Sequence, residues 1–128
     1  MYQVLLVTKN KEDFQDLSEY FKNKGLNVSW RANGESALAE IIRNTYDLMV
    51  VNEDLGDMTG LDYIKKSLYK NPMIHTAAVS SLSEADYHEA SEGMGVLMQL
   101  PPRPGRPEAE KLFKHLETIL NASMPLTQ

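Results

Sequence analysis

Apolar residues along the chain gather into five short blocks, separated by stretches in which they recur at helical spacing. Residues 2–8 (YQVLLVT) hold Val4, Leu5, Leu6 and Val7 without interruption, the pattern of a strand buried on both faces. Residues 26–31 instead alternate Leu26, Val28 and Trp30 with Asn27, Ser29 and Arg31, a strand with one exposed face. Residues 48–51 (LMVV) form the third block, 73–79 a weaker fourth broken by His75 and Thr76, and 96–100 the fifth.

Between the blocks lie helix signals. Asn10 is placed to cap a first helix, with Asp13 near its positive end, Phe14, Leu17 and Phe21 as its apolar stripe and Gly25 as its terminator. Asn33 caps a second, expected to bury Leu38, Ile41 and Ile42. After Gly56 and Gly60, Leu61, Ile64 and Leu68 mark a third. Ser83 and Asp86 open a short fourth helix to about Glu92, in which little beyond Ala85 and Ala90 is apolar and Tyr87 and His88 are left for contact with a partner. Residues 101–107 (PPRPGRP) read as a stiff loop, and 108–120 as a last helix with Leu112, Phe113, Leu116, Ile119 and Leu120 inward. Residues 1–121 are expected to form one α/β domain and 122–128 a flexible tail. Strands alternating with helices predict a parallel sheet covered on both faces by right-handed crossovers.

At 128 residues the chain can bury a sizeable core. Its net charge of −5 argues against a broad nucleic-acid surface. With no cysteine, disulfides, thiolate metal sites and thiol nucleophiles are excluded. The first residues show no signal-peptide pattern and no apolar run reaches membrane-spanning length, so a cytoplasmic protein is expected. His75, His88 and His115 sit in different elements without metal-ligand spacing, and no P-loop, GxGxxG, CxxC or nucleophile elbow occurs.

The most informative stretch is DLMVVNEDLGDMTGLD, residues 47–62. An apolar strand ends in Asn52, Glu53 and Asp54, and Gly60 falls eight residues after Asn52. Open α/β sheets put their chemistry at such strand ends. With PMIHTAAVSS and EGMGVLMQLPP, this stretch resembles the receiver domain of bacterial response regulators over nearly the whole chain. The resemblance implies a CheY-like, flavodoxin-like fold with sheet order 2-1-3-4-5. It also implies a role in two-component signalling, in which a phosphoryl group on the third strand's aspartate pulls a fourth-strand hydroxyl and a fifth-strand lysine toward itself.

The matching positions depart from that pattern. The acceptor place is Asn52, and an acyl phosphate forms only from a carboxylate. The places of the acidic pair that holds Mg²⁺ are Thr8 and Lys9, and the lysine place is Leu100. Leu97 stands at the aromatic switch position, while Ser80 keeps the hydroxyl. The expectation is a pseudo-receiver without enzymatic activity, metal or cofactor, binding a protein partner in a bacterial signalling pathway through a face containing Tyr87, His88 and Leu97. Other readings stay open: a flavodoxin-like small-ligand or cofactor domain, or a receiver modified on a loop aspartate, Asp54 or Asp57. Glu53, Asp54 and Asp57 form an acidic loop able in principle to hold a hard cation. Lys9 could stand where the metal would, donating to Asn52 or to the Glu53 and Asp54 carboxylates.

Overall fold

The computed structural model describes residues 2–122. Strands β1 (Gln3–Val7), β2 (Asn27–Arg31), β3 (Leu48–Val51), β4 (His75–Val79) and β5 (Met98–Leu100) form one parallel sheet in the order β2-β1-β3-β4-β5. Helices α1 (Gln15–Asn23), α2 (Gly34–Arg43), α3 (Gly60–Lys70), α4 (Glu84–Ala90) and α5 (Arg106–Ala122) connect and cover it. This is the flavodoxin-like arrangement, with the order expected from the sequence. The central strands β1 and β3 carry the continuous apolar runs because both their faces are covered. Val4, Leu6, Leu48 and Val50 face one core with Leu17, Phe21, Leu112 and Leu116. Leu5, Val7, Met49 and Val51 face the other with Ile41, Tyr63 and Ile64.

The helix ends follow local chemistry. Helix α1 closes in a Schellman motif: the Gly25 amide donates to the Lys22 carbonyl and the Leu26 amide to that of Phe21, both at 3.0 Å, with Gly25 at φ +84°. The side chains of Asn33, Thr59 and Ser83 accept from the amides three residues on, at 2.8, 3.1 and 3.2 Å. Asn10 does not use its side chain as a cap. It opens a 3₁₀ turn, Lys11–Phe14, in which its carbonyl accepts from the Asp13 amide.

Several expectations are corrected. Ile42 is 64% exposed, because α2 turns Ala37, Glu40 and Ile41 inward and the next residue points to solvent. The inward turn of a carboxylate is satisfied locally. Glu40 accepts from Arg31 at 2.6 Å, from Asn44 at 2.8 Å and from the Tyr46 hydroxyl. Tyr87, expected to be available for contact, is buried in the second core; it is the one side chain α4 sends inward. The fourth and fifth strands are shorter than their apolar blocks, starting at His75 and Met98, and Met73 is exposed. Helix α5 starts earlier than expected, with Pro107 in its first turn, where a missing N–H costs nothing. It runs through Ala122; the rest of the expected tail lies outside the described residues.

Candidate functional site

Three strand ends converge at the carboxyl edge of the sheet. Asn52 follows β3 directly, its amide donating to the Val7 carbonyl at 2.9 Å. Thr8 follows β1, fully buried, with its own carbonyl accepting from the Trp30 indole at 2.9 Å. Ser80 follows β4, its amide donating to the Leu100 carbonyl at 3.0 Å. The structure thus brings together Thr8, Asn52, Ser80 and Leu100, and it fixes the register of Ser80 beside the end of β5.

The amide of Asn52 is committed. Its Nδ2 donates to Thr8 Oγ1 at 2.9 Å and to Asp13 Oδ2 at 3.2 Å, and its Oδ1 accepts from the Glu53 amide at 2.8 Å. Asp13 also faces the Arg103 guanidinium at 3.6 Å. Arg103 is 85% exposed, so this ion pair contributes little. Its φ of +51° is the left-handed region that a non-glycine residue occupies at a cost of about 1 kcal/mol.

The loop after Asn52 is folded tightly back. The Gly60 amide donates to the Glu53 carbonyl at 2.8 Å, the Leu55 amide to the Met58 carbonyl at 3.0 Å, and Leu55 is buried. Gly60 packs so closely that a Cβ there would collide with the Asn52 carbonyl. That close approach is the physical reason for glycine eight residues past the strand end.

The three loop carboxylates diverge to separate partners. Glu53 Oε2 turns toward β4, accepting from the Ser81 amide at 2.9 Å, from Ser81 Oγ at 3.0 Å and, longer, from Ser80 Oγ at 3.5 Å. Asp54 accepts from the Gly56 amide at 2.9 Å and pairs with Lys9 Nζ at 3.4 Å; those two contacts hold its carboxyl below the usual range. Asp57 takes the amides of Gly34 and Glu35 at the start of α2, both at 2.9 Å, which lowers it likewise. Lys9 therefore meets Asp54 alone among the partners expected for it.

This donor set does not fit a hard dication. Asp13, whose carboxylate faces Asn52, accepts from its Nδ2, and Glu53, Asp54 and Asp57 are each turned to separate partners. Among the described residues no three acidic or imidazole groups gather where they could hold a metal ion.

At the end of β5, Leu100 is fully buried in the core beneath α5, and Leu97, just before the strand, is half-buried against the same core. Gln99, between them in neither expectation, sends Nε2 to the carbonyls of Ser80 at 3.4 Å and Leu82 at 3.0 Å. Beside it, α4 and β5 enclose an open cleft of ≈ 430 Å³ lined by His88, Leu97, Met98 and Gln99. Asp13, Arg103 and Gln99 were not legible as site residues. Asp13 and Arg103 reach the strand ends only through the folded loops that carry them, whereas Gln99 lies in β5 itself and is marked by its side-chain bonds to the 80–82 segment.

No family model matches the sequence, and no curated protein does. Solved structures match it closely in shape. A CheY-like response regulator receiver domain protein from Methanospirillum hungatei superposes with a TM-score of 0.83 at 17% identity, covering 96% of this chain and 99% of that one. A two-component response regulator from Clostridium difficile gives 0.79 at 22% identity, covering 94% and 97%. A streptococcal protein, described as one of a family of redox sensors that evolved from two-component response regulators, gives 0.79 at 17% identity; it matches 100% of this chain, which spans 57% of its length. The fold of this protein is that of the CheY-like receiver domains.

Proposed function

We propose that this protein is a receiver-like signalling domain that acts by protein–protein contact, independently of phosphoryl transfer and without enzymatic activity. The observation that carries the reading is the state of Asn52. An amide stands at the strand end where a receiver needs a carboxylate, and its Nδ2 is spent on Thr8 and Asp13. The surrounding positions agree. Thr8 is neutral and buried, the Lys9 ammonium turns to Asp54, and Leu100 is sealed in the core, where it cannot reach an anion. Asp54 is a poor substitute acceptor, since its oxygens already hold the Gly56 amide and Lys9.

The proposed partner is a protein of a bacterial signalling pathway in the cytoplasm; the support is the receiver fold shared with neighbours described as a two-component response regulator and a chemotaxis response regulator. With Tyr87 turned inward, the candidate face narrows to exposed His88, half-buried Leu97 and the cleft between α4 and β5. The streptococcal redox sensor is a precedent for reuse of this fold. Redox sensing through a thiol is closed to this chain, which has no cysteine.

The test is incubation with acetyl phosphate and Mg²⁺, followed by intact mass. No gain is expected for the wild type. Asn52→Asp is expected to gain none either, since its carboxylate would face Asp13 and the site still lacks a metal cradle and a lysine. A hydroxylamine-labile gain of one phosphoryl group on the wild type overturns the reading.

A further inference from the structure

We propose that Glu53 is a built-in anion: its carboxylate fills, from within the chain, an oxyanion-binding set at the end of β4 and so latches the 80–82 loop in one arrangement. This rests on reading the site as closed to phosphoryl chemistry. The set consists of the Ser81 amide, Ser81 Oγ and Ser80 Oγ, all directed at Glu53 Oε2 at 2.9, 3.0 and 3.5 Å. Hydrogen bonds to an ionised acceptor are about twice as strong as neutral ones. Ser80 is buried, and its Oγ also accepts from the Leu82 amide at 3.1 Å, so the bonds reach through the loop.

From the opposite side Gln99 donates to the Ser80 and Leu82 carbonyls. The segment joining β4 to α4 is thereby held by a carboxylate from the β3 side and an amide from the β5 side. A conformation changes with a ligand only through differential contacts. Here the anion that would supply such contacts is covalently present at all times. A free oxyanion is excluded while Glu53 remains, and removing the carboxylate opens the set to inorganic phosphate or sulfate.

Amide hydrogen exchange at Ser81, followed by NMR on the full chain, reads the latch directly because that amide is a donor to it. In Glu53→Ala, exchange at Ser81 is expected to rise roughly tenfold, as loss of one charge-assisted hydrogen bond implies. In Glu53→Gln, of equal size and still an acceptor, the rise is smaller. Inorganic phosphate at constant ionic strength is expected to slow exchange again in Glu53→Ala and to leave the wild type unchanged. Unchanged Ser81 exchange in Glu53→Ala overturns the proposal, as does faster exchange that phosphate fails to slow, or a wild type that phosphate protects equally. If Glu53→Ala does not fold, Glu53→Gln carries the same comparison, and Ser81 exchange equal to wild type in it overturns the latch. A phosphoryl gain from acetyl phosphate would sink the contact-only reading and leave this result standing, so the two failures are separable.

Discussion

Helices α5 and α4 follow neighbouring strands of the sheet and are anchored in opposite ways. Helix α5 sets Ala109, Leu112 and Leu116 completely out of solvent against α1 and the sheet. Helix α4 has seven residues and commits only Tyr87 to the core. The polar groups differ in the same sense. In the dense part of the molecule every buried oxygen of Glu40 and Tyr46 has a partner, while the Tyr87 hydroxyl is buried with no hydrogen-bond partner among the described residues. A helix with a single anchor draws its position from that anchor and from the loop leading into it. Regions with few buried contacts open locally before the whole domain does, so the α4 region is where this protein has conformational freedom to spend. It is also the side on which the Glu53 and Gln99 bonds are concentrated.

The hardest blow to this contrast is Tyr87→Ala. Truncating a buried aromatic side chain costs about 3–5 kcal/mol. With no second anchor, α4 is expected to detach: its amides should exchange far faster than those of β1 and β3, and the urea midpoint should fall. If α4 keeps its protection in this variant, the single-anchor description is wrong.

A smaller effect tests the dense side. Glu40 is held below the ordinary carboxylate range by the hydrogen bond from Tyr46 first, then by those from Asn44 and Arg31, against the opposing effect of burial. A folded-state value below the unfolded one contributes stability that is present above the unfolded value, ~4.3 for a glutamate. That contribution is lost as pH falls through the folded value. Glu40→Gln should therefore be less stable than wild type at neutral pH, by about 1–2 kcal/mol. The difference should shrink as pH falls through the acid range. Urea titrations at several pH values check both parts, and a pH-independent gap would assign the loss to shape instead of charge.

The strands were legible because β1 and β3 announce double burial in unbroken apolar runs, while their order was an expectation that only the resemblance to receiver domains supplied. Gly25, Asn33 and Ser83 announced helix ends because those effects act within a few residues. What stayed hidden depends on distant partners. Glu40 reads as a surface residue until Arg31 and Tyr46 arrive beside it, and their arrival turns Ile42 outward. Tyr87 reads as exposed in a polar helix, since period alone cannot say that a short helix has only one side chain to bury. At the site, Thr8 and Asn52 directly follow β1 and β3, and Leu100 is the last residue of β5. Glu53 was visible only as one member of an acidic loop. Its reach to Ser81 depends on the tight return from Leu55 to Gly60, which no local pattern encodes.

The finest probe of the contrast is the single oxygen of Tyr87. Burial pushes this hydroxyl's pKa up, with Ser91 opposing that rise to a smaller extent, and among the described residues no group in hydrogen-bond geometry offsets its removal from water. Ser91, one turn on, does not supply the missing bond as a donor: its Oγ donates to the Tyr87 carbonyl at 2.8 Å. A buried polar group without a partner costs about 1–3 kcal/mol of desolvation, whereas an apolar replacement of the same shape costs nothing comparable. Tyr87→Phe keeps the ring and its packing and removes only the uncompensated atom. It is therefore expected to leave the protein as stable as wild type or more stable by up to about 1 kcal/mol, with α4 exchange unchanged or slower. The corresponding change in the dense part, Tyr46→Phe, removes a satisfied donor to a buried carboxylate and should destabilise. Chemical denaturation of the two variants side by side compares one deleted hydroxyl in each region. Equal losses in both would mean that the Tyr87 oxygen is paired in solution and that α4 is held by more than a ring.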